Sequence, residues 1–146
     1  MLINRQFVKE KRREQYRTGK YPGTKTAVLT CMDTRLAELL PAAPGVKNGE
    51  VKMIKNAGAV IFKPFGSAMR SLLIAIFELS VEKILVIVHT DCGVQHVDSQ
   101  AMTEQMVERG IQRETIGHLK TIGVDFDRWL AGFDTVERSV AKTVAA

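Results

Sequence analysis

Both cysteines of the chain, and one of its three histidines, fall in two short segments. TAVLTCMDTRL, residues 26–36, carries Cys31, Asp33 and Arg35, and the stretch His89-Thr90-Asp91-Cys92-Gly93 carries an imidazole and the second thiol. Taken singly, a buried cysteine is usually a small hydrophobe. Together, two thiolates and one imidazole are the ligand types that Zn²⁺ prefers, and three protein ligands leave a fourth tetrahedral position open, as in catalytic rather than structural sites. The His89-x-x-Cys92 spacing suits one turn gripping one ion. A redox pair is the competing chemistry, but the cysteines are far apart in sequence rather than in C-x-x-C, and the companion histidine favours a metal. Asp33 is near enough to Cys31 to be an oxygen ligand itself or to accept a hydrogen bond from a water at the open position. Arg35 can bind that carboxylate in a bidentate fork. A plain loop ion pair is the alternative, although a buried carboxylate beside a metal would be costly without a counter-charge.

The elements that must deliver these residues alternate between strand and helix. Residues 25–30 read as a strand, followed after Arg35 by a short helix stopped by Pro41 and Pro44. Residues 50–55 read as a second strand, closed by a turn at 56–58. The spacing of Met69, Leu72, Leu73, Ile76, Phe77 and Leu79 predicts a helix over 67–80 with Ser67 as N-cap. Residues 83–89 form a continuous apolar run, as expected of a strand covered on both faces. Further helices are predicted over 99–109, over 112–131 and from Asp134. This alternation predicts an α/β fold of three layers, α/β/α, with a mainly parallel central sheet. In such sheets ligands gather beyond the carboxyl ends of the strands, which is where the strand ending at Thr30 meets Cys31 and the apolar strand ends at His89.

The chain of 146 residues, 45% hydrophobic and 25% charged, fits one soluble globular domain. Its apolar runs are far shorter than the roughly 20 residues that span a bilayer. The N-terminus has no secretory signal pattern, so a cytoplasmic location with reduced thiols is expected. The net charge of +5 owes much to Lys9, Lys11, Arg12, Arg13, Arg17, Lys20 and Lys25. Glu10 and Glu14 interrupt this run, which reads as a solvated helix face rather than a nucleic-acid footprint. Phe7, Val8 and Tyr16 give residues 3–17 a thin apolar stripe for docking on the body or on a neighbouring subunit.

Cys31-x-Asp33-x-Arg35, the Asn56-Ala57-Gly58 turn and His89-Thr90-Asp91-Cys92-Gly93, in this order, resemble the β-class carbonic anhydrases over about residues 24–140. The resemblance implies that Cys31, His89 and Cys92 hold one Zn²⁺ per chain. It also implies that Asp33 and Arg35 form the dyad beside it, and that the activity is reversible hydration of carbon dioxide to bicarbonate and a proton. It implies a homodimer or an assembly of dimers, with residues 1–24 as an N-terminal helical arm laid on the partner and 25–146 as the catalytic domain. In a closed state Asp33 would leave Arg35 and ligate zinc. Because two thiolates cancel the ion's charge, weaker acidification of water and an alkaline preference are expected. Other readings are a carbon disulfide or carbonyl sulfide hydrolase on the same site, and a non-catalytic module that binds zinc or bicarbonate.

Asn56, Gly58 and Gly93 are candidates for substrate contact, with turn geometry as the plainer account of each. His96 is a surface residue or a proton shuttle, and His118 a surface residue. Val60, Ile61 and Phe62 line an apolar pocket or pack in the core or an interface. Asp91 caps the turn or pairs with a basic neighbour and is given no catalytic role. The glutamine-containing pocket motif of plant-type members is not evident. The sequence stops at SVAKTVAA inside a helical pattern where the family continues with strand-forming residues. A naturally short or partly represented chain is therefore expected, with an exposed sheet edge as the liability.

Overall fold

The computed structural model describes residues 2–146, with side chains from Ile3 onward. Its sheet is built around TAVLTC: β1 (Thr26–Cys31) has all six residues buried, because it is the middle strand. β2 (Val51–Asn56) and β3 (Lys83–Ile87) flank it in the order β2-β1-β3, and both pairings are parallel. In register, Cys31 stands opposite Asn56 and Thr30 opposite Ile87, so the carboxyl ends of all three strands share one edge. Parallel neighbours need crossovers. α2 (Leu36–Ala42) lies between β1 and β2, and α3 (Ser67–Phe77) between β2 and β3.

Two clusters make up the core. Alternation along β1 sends Ala27 and Leu29 to Leu72, Ala75 and Val81 on the α3 side and Val28 to Leu36 and Leu40 on the α2 side, while Cys31, the last residue of the strand, departs from the alternation and joins Val28 and Cys92. This is an α/β fold with helices on both faces of a parallel sheet. After β3 come α4 (Ser99–Glu108), α5 (Arg113–Thr121), α6 (Phe126–Leu130) and α7 (Val136–Val144). Before β1, α1 (Leu2–Lys9) leads into a 3-10 turn at Arg12–Tyr16. The chain reverses at Lys11, so that the Phe7 and Tyr16 rings stack with centroids 6.3 Å apart. Glu14 stands 3.6 Å from Arg13 and 3.8 Å from Arg17, which offsets part of the basic run. No helix among the described residues is long and apolar enough to cross a membrane.

Four expectations are corrected. The strand covered on both faces is β1; β3 lies at the edge of the sheet, and its Ile84 and Leu85 are 41% and 49% exposed. The helix expected over 112–131 is two helices. Gly123 takes a left-handed φ of 87° after α5, and the Asp125 carboxylate accepts the Arg128 N–H to start α6. Pro41 does not stop α2 but sits in its last turn, where it forgoes the single bond that an N–H would have donated to the Ala37 carbonyl, and the helix runs on one residue to Ala42. Ser67 is the first residue of α3 rather than its cap; extended Gly66 holds the cap position.

Candidate metal centre

Cys31 is the last residue of β1, and Cys92 sits in the loop after β3, beside the same sheet edge. Their Sγ atoms are 3.7 Å apart. A disulfide would need about 2.05 Å, so both are thiols. Two sulfurs each about 2.3 Å from one tetrahedral zinc stand about 3.8 Å apart, which is the separation found. The ligand atoms of Cys31, His89 and Cys92 all lie within 4.8 Å of one another. His89 Nδ1 is 2.9 Å from the Thr90 carbonyl oxygen, which can only accept, so Nδ1 carries the proton. Its Nε2 is buried and has no hydrogen-bond partner. A buried lone pair left orphaned beside two thiols is the donor set of a metal site, with the backbone carbonyl fixing the tautomer.

The charges of the two thiols are set unequally. Burial pushes Cys31 up, but the neighbouring His89 and the backbone N–H groups of Asp33 and Gly58 outweigh it and bring the thiol below its ordinary value. Burial pushes Cys92 up, and so does adjacent Cys31, despite backbone N–H groups from Val94 and Gln95. Two thiolates this close hold both negative charges only with a cation between them. Gly58 reaches Cys31 because its φ is 74°; a side chain there would also meet the Phe133 ring at 3.1 Å.

Asp33 stands beside the three-ligand group. Its Oδ1 accepts the Arg35 backbone N–H at 2.8 Å and Nε–H at 3.0 Å, and its Oδ2 accepts from Nη2 at 2.9 Å. These bonds, and then the guanidinium charge, hold the Asp33 carboxyl down at about 2, and the pairing pushes Arg35 up. Arg35 also reaches Asp91, donating from Nη1 to Oδ2 at 2.9 Å and from Nη2 to the backbone carbonyl at 2.7 Å. Asp91 is thus paired with a basic neighbour.

The Asn56 amide closes its own turn: Nδ2 donates to the Val60 carbonyl at 2.8 Å and Oδ1 accepts the Val60 N–H at 3.1 Å. Gly93 has open space where a side chain would be. Ile61 packs against the core cluster under α3, while Phe62 is 41% exposed. His96 is exposed, with its N–H on the Phe133 carbonyl at 3.0 Å, and His118 is exposed on α5.

Sequence reasoning missed Gly132 and Phe133. Phe133 packs against the cluster that contains both cysteines. Gly132 lies so close to the loop after Cys92 that an added Cβ would be 2.1 Å from the Val94 carbonyl oxygen. Its N–H donates to the Val97 carbonyl at 3.1 Å, and Gln95 bridges to Phe133. Only a glycine between two helical patterns marked this contact in the sequence.

A parallel sheet that presents Cys, His and Cys at one strand edge, with a carboxylate and guanidinium alongside, defines an α/β domain carrying a three-residue group that could hold a metal ion. The family model for carbonic anhydrase matches residues 26–144. The chain belongs to the β-class carbonic anhydrase family. It is 49% identical over 142 residues to the provisionally named carbonic anhydrase YtiB of Bacillus subtilis, covering 97% of this chain and 76% of that protein. The crystal structure of β-carbonic anhydrase isoform I from Trichomonas vaginalis superposes with a TM-score of 0.83 at 31% identity, over 99% of this chain and 81% of that one. A carbon disulfide hydrolase of Acidithiobacillus thiooxidans is 25% identical over 131 residues, 82% of this chain and 58% of that protein.

Proposed function

We propose that the chain catalyses the reversible hydration of carbon dioxide to bicarbonate and a proton, using one zinc ion held by Cys31, His89 and Cys92. The observation that carries this reading is the 3.7 Å separation of the two sulfurs beside the orphaned His89 Nε2. When bound, zinc supplies the chemistry by acidifying a water so that it can attack carbon dioxide. The two thiolates reduce that acidification, so activity rises toward alkaline pH.

The chain's own groups position the reactants. Asp33, ionised down to about pH 2, accepts a hydrogen bond and orients the attacking water; it cannot serve as the acid. Arg35 holds Asp33 in place through the two-pronged pair. Gly58 supports Cys31 through its N–H, while Asn56 and Gly93 shape the approach. Carbon dioxide is favoured over carbon disulfide because identity to the carbonic anhydrase relative is about twice that to the hydrolase.

Residues 25–146 form the catalytic domain and 1–24 the arm, laid on the partner of a homodimer. Phe65 and Phe77, 100% and 79% exposed, support an apolar interface. A cytoplasmic setting suits the free thiols. The test is zinc quantification paired with stopped-flow carbon dioxide hydration on wild type and Asp33→Asn between about pH 6.5 and 9. Turnover with stoichiometric zinc, lowered in Asp33→Asn, is expected. Stoichiometric zinc without turnover would favour the non-catalytic module, and no zinc would overturn the site.

A further inference from the structure

Arg35 has two hydrogen-bonding edges, and both are occupied. Nε and Nη2 face the Asp33 carboxylate, whereas Nη1 and Nη2 face Asp91. The second contact depends on backbone geometry: Asp91 has a φ of 53°, a left-handed conformation that Asp tolerates better than most residues. In this conformation one residue offers Arg35 its backbone carbonyl and its carboxylate together. Asp91 also lies between His89 and Cys92, so the loop that carries two ligands is tied to the guanidinium that holds Asp33. Asp33 Oδ2 is 3.7 Å from His89 Nε2, close enough that a carboxylate released by Arg35 has little distance to cover.

We propose that Asp91 is a positioning residue: it anchors the outer edge of Arg35 so that the guanidinium keeps Asp33 off the fourth ligand position. The inference rests on the reading of Asp33 and Arg35 as the dyad beside the metal. Asp91 does not touch substrate; it acts through Arg35. Its side chain is 89% exposed, so the carboxylate contact is worth little by itself, and the effect is a shift in balance rather than a loss of the site.

The test uses the full chain loaded with cobalt(II), whose visible absorption reports ligands in the fourth position, titrated with thiocyanate. Asp91→Gly keeps the left-handed backbone and the carbonyl contact while removing the carboxylate. It is expected to weaken apparent thiocyanate affinity about threefold to fivefold, the range of an exposed charge pair, because Asp33 then competes for the metal. Asp91→Asn, which keeps an acceptor oxygen, is expected to fall between. Asp91→Gly combined with Asp33→Asn should bind thiocyanate as Asp33→Asn alone does. Cobalt content and circular dichroism check that each variant is folded and loaded. If Asp91→Gly matches wild type while Arg35→Ala weakens binding, the role of Asp91 is overturned and the dyad stands. If neither variant changes thiocyanate binding, the dyad reading fails with it. A weakened Asp91→Gly that Asp33→Asn does not rescue overturns the route through Asp33.

Discussion

Asp33 Oδ2 lies 3.7 Å from His89 Nε2 and 2.9 Å from Arg35 Nη2. A nitrogen and an oxygen bound to one tetrahedral zinc stand about 3.4 Å apart. The carboxylate is therefore almost at ligand distance from the histidine while its oxygens are engaged by Arg35. If Cys31, His89 and Cys92 hold zinc as proposed, Arg35's hold, rather than any large travel of the chain, would decide whether Asp33 joins the ligands.

That hold has a pH signature. Asp33 titrates at about 2 in the folded chain, against about 3.9 unfolded. A depressed carboxylate stabilises the fold fully above its unfolded value and loses that contribution as pH falls toward its folded value. In urea unfolding of the metal-free protein, the stability gap between wild type and Asp33→Asn should be flat from about pH 5 to 8 and narrow below about pH 4. A gap that changes between about pH 6 and 8 would contradict the assignment.

Metal should stabilise the fold by mass action. With free zinc at about a hundredfold its Kd, stability rises by about 2.7 kcal/mol, and a chelator removes it. For a chain of this size the thermal midpoint should fall by about 5–10 °C on chelation. Cys31→Ser and Cys92→Ser should no longer respond to added zinc, which differential scanning fluorimetry would read directly.

Two glycines should respond to alanine with opposite signs. Gly132→Ala places a Cβ against the Val94 carbonyl and the Val97 N–H, and overpacking against backbone should cost about 2–3 kcal/mol or more. Gly117, inside α5 with open space around it, should gain about 0.5–1 kcal/mol as alanine. Urea midpoints measure both. A neutral Gly132→Ala would show that the loop after Cys92 yields easily.

Phe77, on the exposed side of α3, tests the proposed homodimer. Phe77→Glu should weaken self-association by about tenfold or more if this aromatic is a buried anchor in the assembly. Sedimentation velocity across a dilution series gives the answer. A wild-type chain that remains monomeric at every concentration would remove the dimer.

The grouping of Cys31, His89 and Cys92 was legible because cysteine and histidine are rare in this chain and stand at or just beyond the ends of apolar strands. The strand-helix order was legible for the same periodic reasons. Which strand is central was not, because β3 is the more hydrophobic by type, yet β1 has a neighbour on each side. The break between α5 and α6 depends on the single turn around Gly123 and the cap at Asp125, weak signals inside an apolar period. Gly132 and Phe133 were missed because their role is a contact with residues 94–97 across a loop, and a glycine between two helical patterns is too weak a local signal to report it.

The parallel pairing of β1 with β3 also orders events in time. Cys31 and Cys92 are 61 residues apart. Gathering them directly means closing a loop of that length against chain entropy. Once β1 and β3 align, their ends already lie side by side. If the group binds zinc as proposed, rapid capture would wait for sheet assembly, and in a refolding experiment with added metal the spectral signature of the bound ion should lag the recovery of secondary structure, marking a finished sheet rather than seeding one.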